Sequence, residues 1–239
     1  MRHQLIALES LCGFIHFKIH FMEKKLFFYL TVLALLLSTP SIAQKTNKLS
    51  REHTFFTSSD QTCWTYVIKD KKIPVSEVFK MDKGVLLITG VSSGYLRTKK
   101  KYSNYELYTE WRWLKTAGNS GVLVHIQEKD SIWPVCYQVQ QKAGDAGDII
   151  CMNGLWAKEC ADSVKFTIKK MQSSNEKPLG EWNTMKIICR DKTLQVFVNG
   201  ILQNSVSGLT ATNGYIGFQN EGKPLEFRTL RIINFKNKK

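Results

Sequence analysis

GVLVHIQ (121–127) and, shortly after it, CYQVQQ (136–141) are the stretches that decide the fold class. Each is short, rich in β-branched or aromatic residues and alternating with a period of two, which is the pattern of a strand with one face buried. In that reading Val122, Val124 and Ile126 share the buried face and leave Leu123, His125 and Gln127 opposite them. In the next strand Tyr137 and Val139 alternate with Gln138 and Gln140. Two neighbouring strands that offer hydrogen-bonding side chains from one face, with Trp133 close by, look like a sheet whose open face binds a sugar.

Working outward, segments of the same kind recur through the rest of the chain. The pattern predicts strands over 84–89, 105–113, 121–127, 136–141, 164–168, 182–189, 193–198, 215–219 and 225–235, ended by Gly, Asn, Asp or Lys clusters. Asn199-Gly200 between Val198 and Ile201 is a hairpin dipeptide, and Arg190-Asp191-Lys192 marks a second turn. No sustained helical period competes. Many short antiparallel strands imply an all-β sandwich or barrel.

The N-terminal part reads differently. Met22-Glu23-Lys24-Lys25 is a charged start, Leu26 to Leu37 an apolar run, and Ser41-Ile42-Ala43 a small-x-small cleavage site. The run falls short of the roughly 18 apolar residues a spanning helix needs. The expectation is a signal peptide with Met22 as the true start, so that residues 1–43 are an upstream extension plus signal and residues 44–239 one β-sandwich domain. The mature chain is then secreted or periplasmic, without stable membrane insertion. Removing residues 1–43 takes four of the 34 Lys/Arg and two of the 20 Asp/Glu and leaves a balance of +12. That charge attracts anionic polymers in general. The basic residues are scattered, however, and match no nucleic-acid motif, so no nucleic-acid partner is expected.

Beyond residue 43 the cysteines are Cys63, Cys136, Cys151, Cys160 and Cys189, and the histidines His53 and His125. With no C-x-x-C pair and so few histidines, neither a metal nor a cofactor is expected. Cys151 and Cys160 flank the turn-like Asn153-Gly154, and in an oxidising compartment they are the expected disulfide.

Several blocks together carry a resemblance: GNSGVLVHIQ (118–127), WPVCYQVQ (133–140), DAGDII (145–150), GEWNTMKI (180–187), VFVNG (196–200), and GYIGFQNEG (214–222) with EFRTLRI (226–232). In order and spacing they resemble the 3-keto-disaccharide hydrolase family, over roughly residues 60 to 235. The resemblance implies an exported protein with a concanavalin A-like jelly-roll β-sandwich of two antiparallel sheets. It also implies a carbohydrate substrate, a glycoside already oxidised to a ketone at C3. One position departs. Many members carry glutamate where this chain has Gln138, and an amide cannot serve as general acid or base. The alternative function is therefore a non-catalytic, lectin-like module on the same fold.

A ketone at C3 acidifies the hydrogen on C2, so one base and donors for an enolate suffice. The paired carboxylates of ordinary glycosidases are not required. His125, with an ordinary pKa of about 6.5, is the expected base. Gln138 is expected to orient the reacting sugar, and Asp148 is an alternative base. Asn119, Gln140, Lys142 and Glu221 are the expected substrate contacts, and Trp133, ahead of Trp156, is the expected stacking ring. His125, Gln138 and Gln140 are expected on one concave, accessible patch, with Lys142 and Asp148 at its rim. Oligomeric state is not legible in the sequence.

Overall fold

A computed structural model describes residue 56 and residues 62–160 and 166–235. The expected signal peptide and its expected cleavage site lie outside the described residues.

Fourteen strands build two antiparallel seven-stranded sheets. The first contains β1 (Trp64–Ile68), β4 (Gly94–Thr98), β6 (Gly121–Ile126), β7 (Cys136–Gln140), β8 (Ile149–Met152), β9 (Thr167–Ile168) and β13 (Tyr215–Asn220). Its spatial order is β1-β4-β13-β6-β7-β8-β9. The second contains β2 (Phe79–Asp82), β3 (Val85–Ile88), β5 (Tyr105–Trp113), β10 (Asn183–Arg190), β11 (Thr193–Val198), β12 (Ile201–Val206) and β14 (Leu225–Asn234), in the order β12-β11-β10-β5-β14-β3-β2. A single turn of helix, α1 (Val75–Val78), precedes β2.

The expected all-β sandwich is therefore the fold. Alternation explains the layers: in β5, Tyr105, Leu107, Thr109, Trp111 and Trp113 are buried, while the residues between them are half-buried. Phe218 of the first sheet meets Phe227 of the second at 4.7 Å between ring centroids, with Trp64 and Phe56 packed beside Phe218. The turn at Asn199-Gly200 closes β11 onto β12 as expected, both residues having positive φ, 46° and 81°.

The expected pairing of Cys151 with Cys160 is not present. None of the five described cysteines is in a disulfide. Burial pushes Cys151 up to about 12 and Cys189 likewise to about 12, so both are inert at neutral pH.

The outer face of the first sheet is partly roofed. Val67, Tyr95, Leu123, Ile126 and Cys136 form a second apolar cluster there, with Ile132 of the β6–β7 connection packed on it. That connection is pinned. Asn153 donates its side-chain amide to the carbonyls of Trp133 at 2.6 Å and Pro134 at 3.2 Å, and Arg97 holds Asp130 through two hydrogen bonds of 2.7 and 2.8 Å. Beside this roof the face stays open.

Candidate active site

Antiparallel register sets the floor of the open region. Gly121 lies opposite Gln140 and Leu123 opposite Gln138, while Gln138 lies opposite Ile150 of β8. Gln219 comes from β13, on the other side of β6. The result is a cleft of about 270 Å³ whose lining includes Asn119, Trp133, Gln138, Gln140, Gln219 and Glu221.

The three glutamines form one directed chain. Gln140 Oε1 accepts from the backbone N–H groups of Gln141 at 3.1 Å and Lys142 at 3.2 Å, which fixes that atom as oxygen. Gln138 must then turn its Nε2 toward Gln140, and it donates to Gln140 Oε1 and Gln219 Oε1, each at 3.0 Å. With both oxygens occupied as acceptors, the Nε2 groups of Gln140 and Gln219 remain as donors for the cleft. Gln138 keeps its own Oε1 as an acceptor. The side chain of Gln138 crosses β6 because Gly121 has none: a Cβ there would sit 2.6 Å from Gln138 Cγ and 2.9 Å from its Nε2.

Glu221 stands at the end of β13, where it bridges Asn119 in the strand pattern. Asn119 Nδ2 donates to Glu221 Oε2 at 2.6 Å. Among the described residues Glu221 Oε1 has no hydrogen-bond partner. Burial raises the carboxyl pKa of Glu221 above its ordinary value, and no cation forms a salt bridge with it among the described residues. Among the residues lining the cleft it is the sole carboxylate.

The structure thus brings together Asn119, Trp133, Gln138, Gln140 and Glu221. It does not bring His125 with them. His125 is fully buried, with its ring against Tyr105 and Tyr137 at centroid distances of 5.9 and 6.2 Å. The cause is a β-bulge. Tyr215 faces Ile126 but Gly217 faces Leu123, so two residues of β13 span three of β6, and His125 takes the extra place with φ 52°. The face flips at that point: Leu123 and Ile126 both lie outside, and His125 turns into the core. Gly214 makes the bulge possible, since a Cβ there would lie 2.4 Å from the His125 carbonyl carbon.

His125 Nδ1 lies 3.0 Å from the Ala211 carbonyl and so carries the ring proton. Burial pushes the imidazole down to about 4, against the upward pull of backbone hydrogen bonding at Ala211 and Ser103. A neutral, enclosed ring cannot reach a substrate in the cleft.

Asp148 and Lys142 also stand apart. Asp148 is 1 % exposed and accepts from the Lys170 backbone and from Lys169 Nζ, each at 2.8 Å, as an anchor for the chain after β9. Lys142 is exposed and pairs with Asp145 at 3.1 Å. Neither lines the cleft. Gln219 is the member that sequence reasoning missed; its signal was the alternation of Gly217 and Gln219 along β13, legible only once β13 is known to neighbour β6.

The family model for the 3-keto-alpha-glucoside-1,2-lyase-like domain matches residues 53–233. No curated protein matches the chain. Among solved structures, a protein from Parabacteroides distasonis assigned as a glycosyl hydrolase is 22% identical, with a TM-score of 0.58 over 78% of this chain and 100% of its own. LamA from Zobellia galactanivorans, in complex with laminaritriose and laminaritetraose, is 13% identical, with a TM-score of 0.55 over 79% and 99%. The carbohydrate-binding module CBM66 from Bacillus subtilis is 9% identical, with a TM-score of 0.53 over 72% and 96%. At these identities the three solved structures support the sandwich fold alone. The family match spans most of the chain, and on it the chain is a carbohydrate-active protein that belongs to the 3-keto-alpha-glucoside-1,2-lyase-like domain family.

Proposed function

We propose that the chain is an exported enzyme that cleaves 3-keto-glycosides by elimination followed by hydration, with Glu221 as the base. The observation that carries this reading is Glu221 itself. It is a carboxylate in the cleft with one oxygen held by Asn119 and the other open, and the amide donors of Gln140 and Gln219 lie in the same lining.

In this mechanism Glu221 takes the proton from C2, and the electron pair passes to the C3 oxygen as an enolate. Gln140 and Gln219 donate to that oxygen from groups already oriented by the glutamine chain. The enolate collapses, C1=C2 forms, the bond from C1 to the aglycone oxygen breaks, and that oxygen takes a proton from solvent. Water then adds its hydroxyl to C1 and a proton to C2, which gives the free 3-keto sugar. Trp133 stacks on the ring. Raised basicity suits the role, since a more basic carboxylate is the better acceptor for a carbon acid.

Gln138 favours a second reading, a module that binds sugar without turnover, because an amide at the centre of the cleft floor cannot serve as general acid or base. One experiment separates the two. Purified protein is incubated with 3-keto-glucosides and with their unoxidised parents, and sugar release is followed. Cleavage of the keto forms alone supports the enzyme; binding of either form without release supports the module.

A further inference from the structure

A second hollow, of about 490 Å³, adjoins the polar cleft and shares Trp133, Met152 and Phe166 with it. Its remaining walls include Leu155 and Trp156. Three aromatic side chains stand open around it: Trp133 is 43%, Trp156 36% and Phe166 48% exposed, whereas Trp64, Trp111 and Trp113 are buried and Trp182 is half-buried under Arg112 and Arg228. Exposed aromatics gathered at one concavity mark a ligand surface rather than scatter.

The walls are set before any ligand arrives. Trp156 donates its backbone N–H to Thr210 Oγ1 at 2.9 Å, and its carbonyl accepts from the Tyr137 hydroxyl at 2.9 Å. Trp133 is held through its carbonyl by Asn153. A held backbone limits the freedom that these walls lose on binding.

We infer that this hollow is the leaving-group subsite and that it takes a flat aromatic aglycone, so that the substrates are 3-keto aryl glycosides rather than disaccharides. The inference rests on the reading of the polar cleft as the site of the keto sugar. Chemical asymmetry decides between the two aglycones. A second sugar carries hydroxyls around its edge, and each one enclosed without a partner is penalised. Among the described side chains of the hollow, Asn153 is the sole amide, and both its donors are already taken by the carbonyls of Trp133 and Pro134. Three aromatic faces, Met152 and Leu155 match an aryl ring instead, through area burial and edge or face contacts. The shared wall at Trp133 and Met152 lets one ligand occupy both hollows.

The test uses equilibrium binding, which needs no turnover. Unoxidised phenyl glucoside, methyl glucoside and cellobiose are titrated into the mature chain by calorimetry, in both anomers for the two simple glucosides. The expected result is affinity for phenyl glucoside about tenfold above the other two. Trp156→Ala and, separately, Trp156→Gln should each remove most of that advantage, leave the methyl glucoside affinity unchanged, and keep the parent circular dichroism, since Trp156 lines the second hollow and not the polar cleft. Equal affinity for phenyl glucoside and cellobiose, or an aryl preference untouched in both folded variants, overturns the inference. A protein that prefers the aryl ligand but releases no sugar from any keto form keeps the subsite and loses the enzymatic reading; one that cleaves keto glycosides without aryl preference does the reverse.

Discussion

Asn119 and Glu221 meet across the mouth of the cleft as an isolated bridge, and the Asn119 amide donates to Glu221 Oε2 at 2.6 Å. The contact orients a carboxylate whose pKa burial has already raised. Glu221→Gln preserves shape and removes the base, so kcat on 3-keto-glucosides should fall by about 10²-fold or more while KM changes little. A base works ionised. In the parent protein kcat/KM should therefore climb with pH through an inflection above 4.5 and then level, and the variant should lose that inflection. An unchanged profile in Glu221→Gln would assign the base elsewhere.

His125 contributes to stability, not to chemistry. His125→Ala leaves a cavity between Tyr105 and Tyr137 and an unpartnered Ala211 carbonyl, at a cost of about 2–4 kcal/mol. The folded fraction should retain parent turnover. Acid acts on the same residue: the unfolded chain binds the proton below about 6.5, and the folded chain only near about 4. Stability is thus complete above the upper value and falls as pH drops toward the lower one, by roughly 3 kcal/mol in all from this group. Urea titrations of parent and variant across that window check it, since the variant's curve should be flatter.

Gly121→Ala places a methyl group where Gln138 lies, 2.6 Å from its Cγ. The Val139 carbonyl oxygen would lie 3.0 Å from the same methyl group, so the effect should fall on β7 as well as on the amide chain. Destabilisation of about 1–3 kcal/mol is expected, together with a rise in KM for keto substrates. Thermal melts with parallel kinetics separate the two effects.

Gln138→Glu sets a carboxyl against Gln140 Oε1, with Gln219 the one member of the amide chain able to turn a donor toward it. Gln140 Oε1 is pinned by two backbone N–H groups and cannot turn into a donor. The introduced carboxyl should stay protonated at neutral pH or destabilise the fold by about 1–3 kcal/mol. Stability that is lost as pH rises from 5 to 8, where the parent shows no such trend, is the expected signature.

Export is checked at the N-terminus. Mass spectrometry of the protein recovered outside the cytoplasm should find a chain that starts at Gln44, and a mature chain that keeps Leu26 to Leu37 would rule out cleavage there.

The sequence by itself determined the strand pattern, because a half-buried strand writes its period into adjacent residues. Tyr105 to Trp113 and Thr193 to Val198 were legible to the residue, and the turn at Asn199-Gly200 was set by its two positive φ angles. Shorter strands were not legible. Gly94 to Thr98 and Ile149 to Met152 carry few residues, and Ile201 to Val206 buries Gln203 and Asn204 while exposing Ile201, against what hydropathy predicts. Gln138, Gln140, Asn119 and Trp133 were legible as neighbours on one cleft because their own strand or turn announces their face. His125 was placed on the wrong face by the same logic. One extra residue inverts alternation, and whether a bulge forms depends on a partner strand and on Gly214, which lie nearly ninety positions away. Tertiary structure alone decided that Gln219 joins the cleft, that Glu221, expected as a contact, stands there as its sole carboxylate, and that Asp148 leaves it. A side chain's access to solvent is fixed by which strand lies beside it, and that neighbour is chosen by the packing of the whole sandwich, not by local pattern.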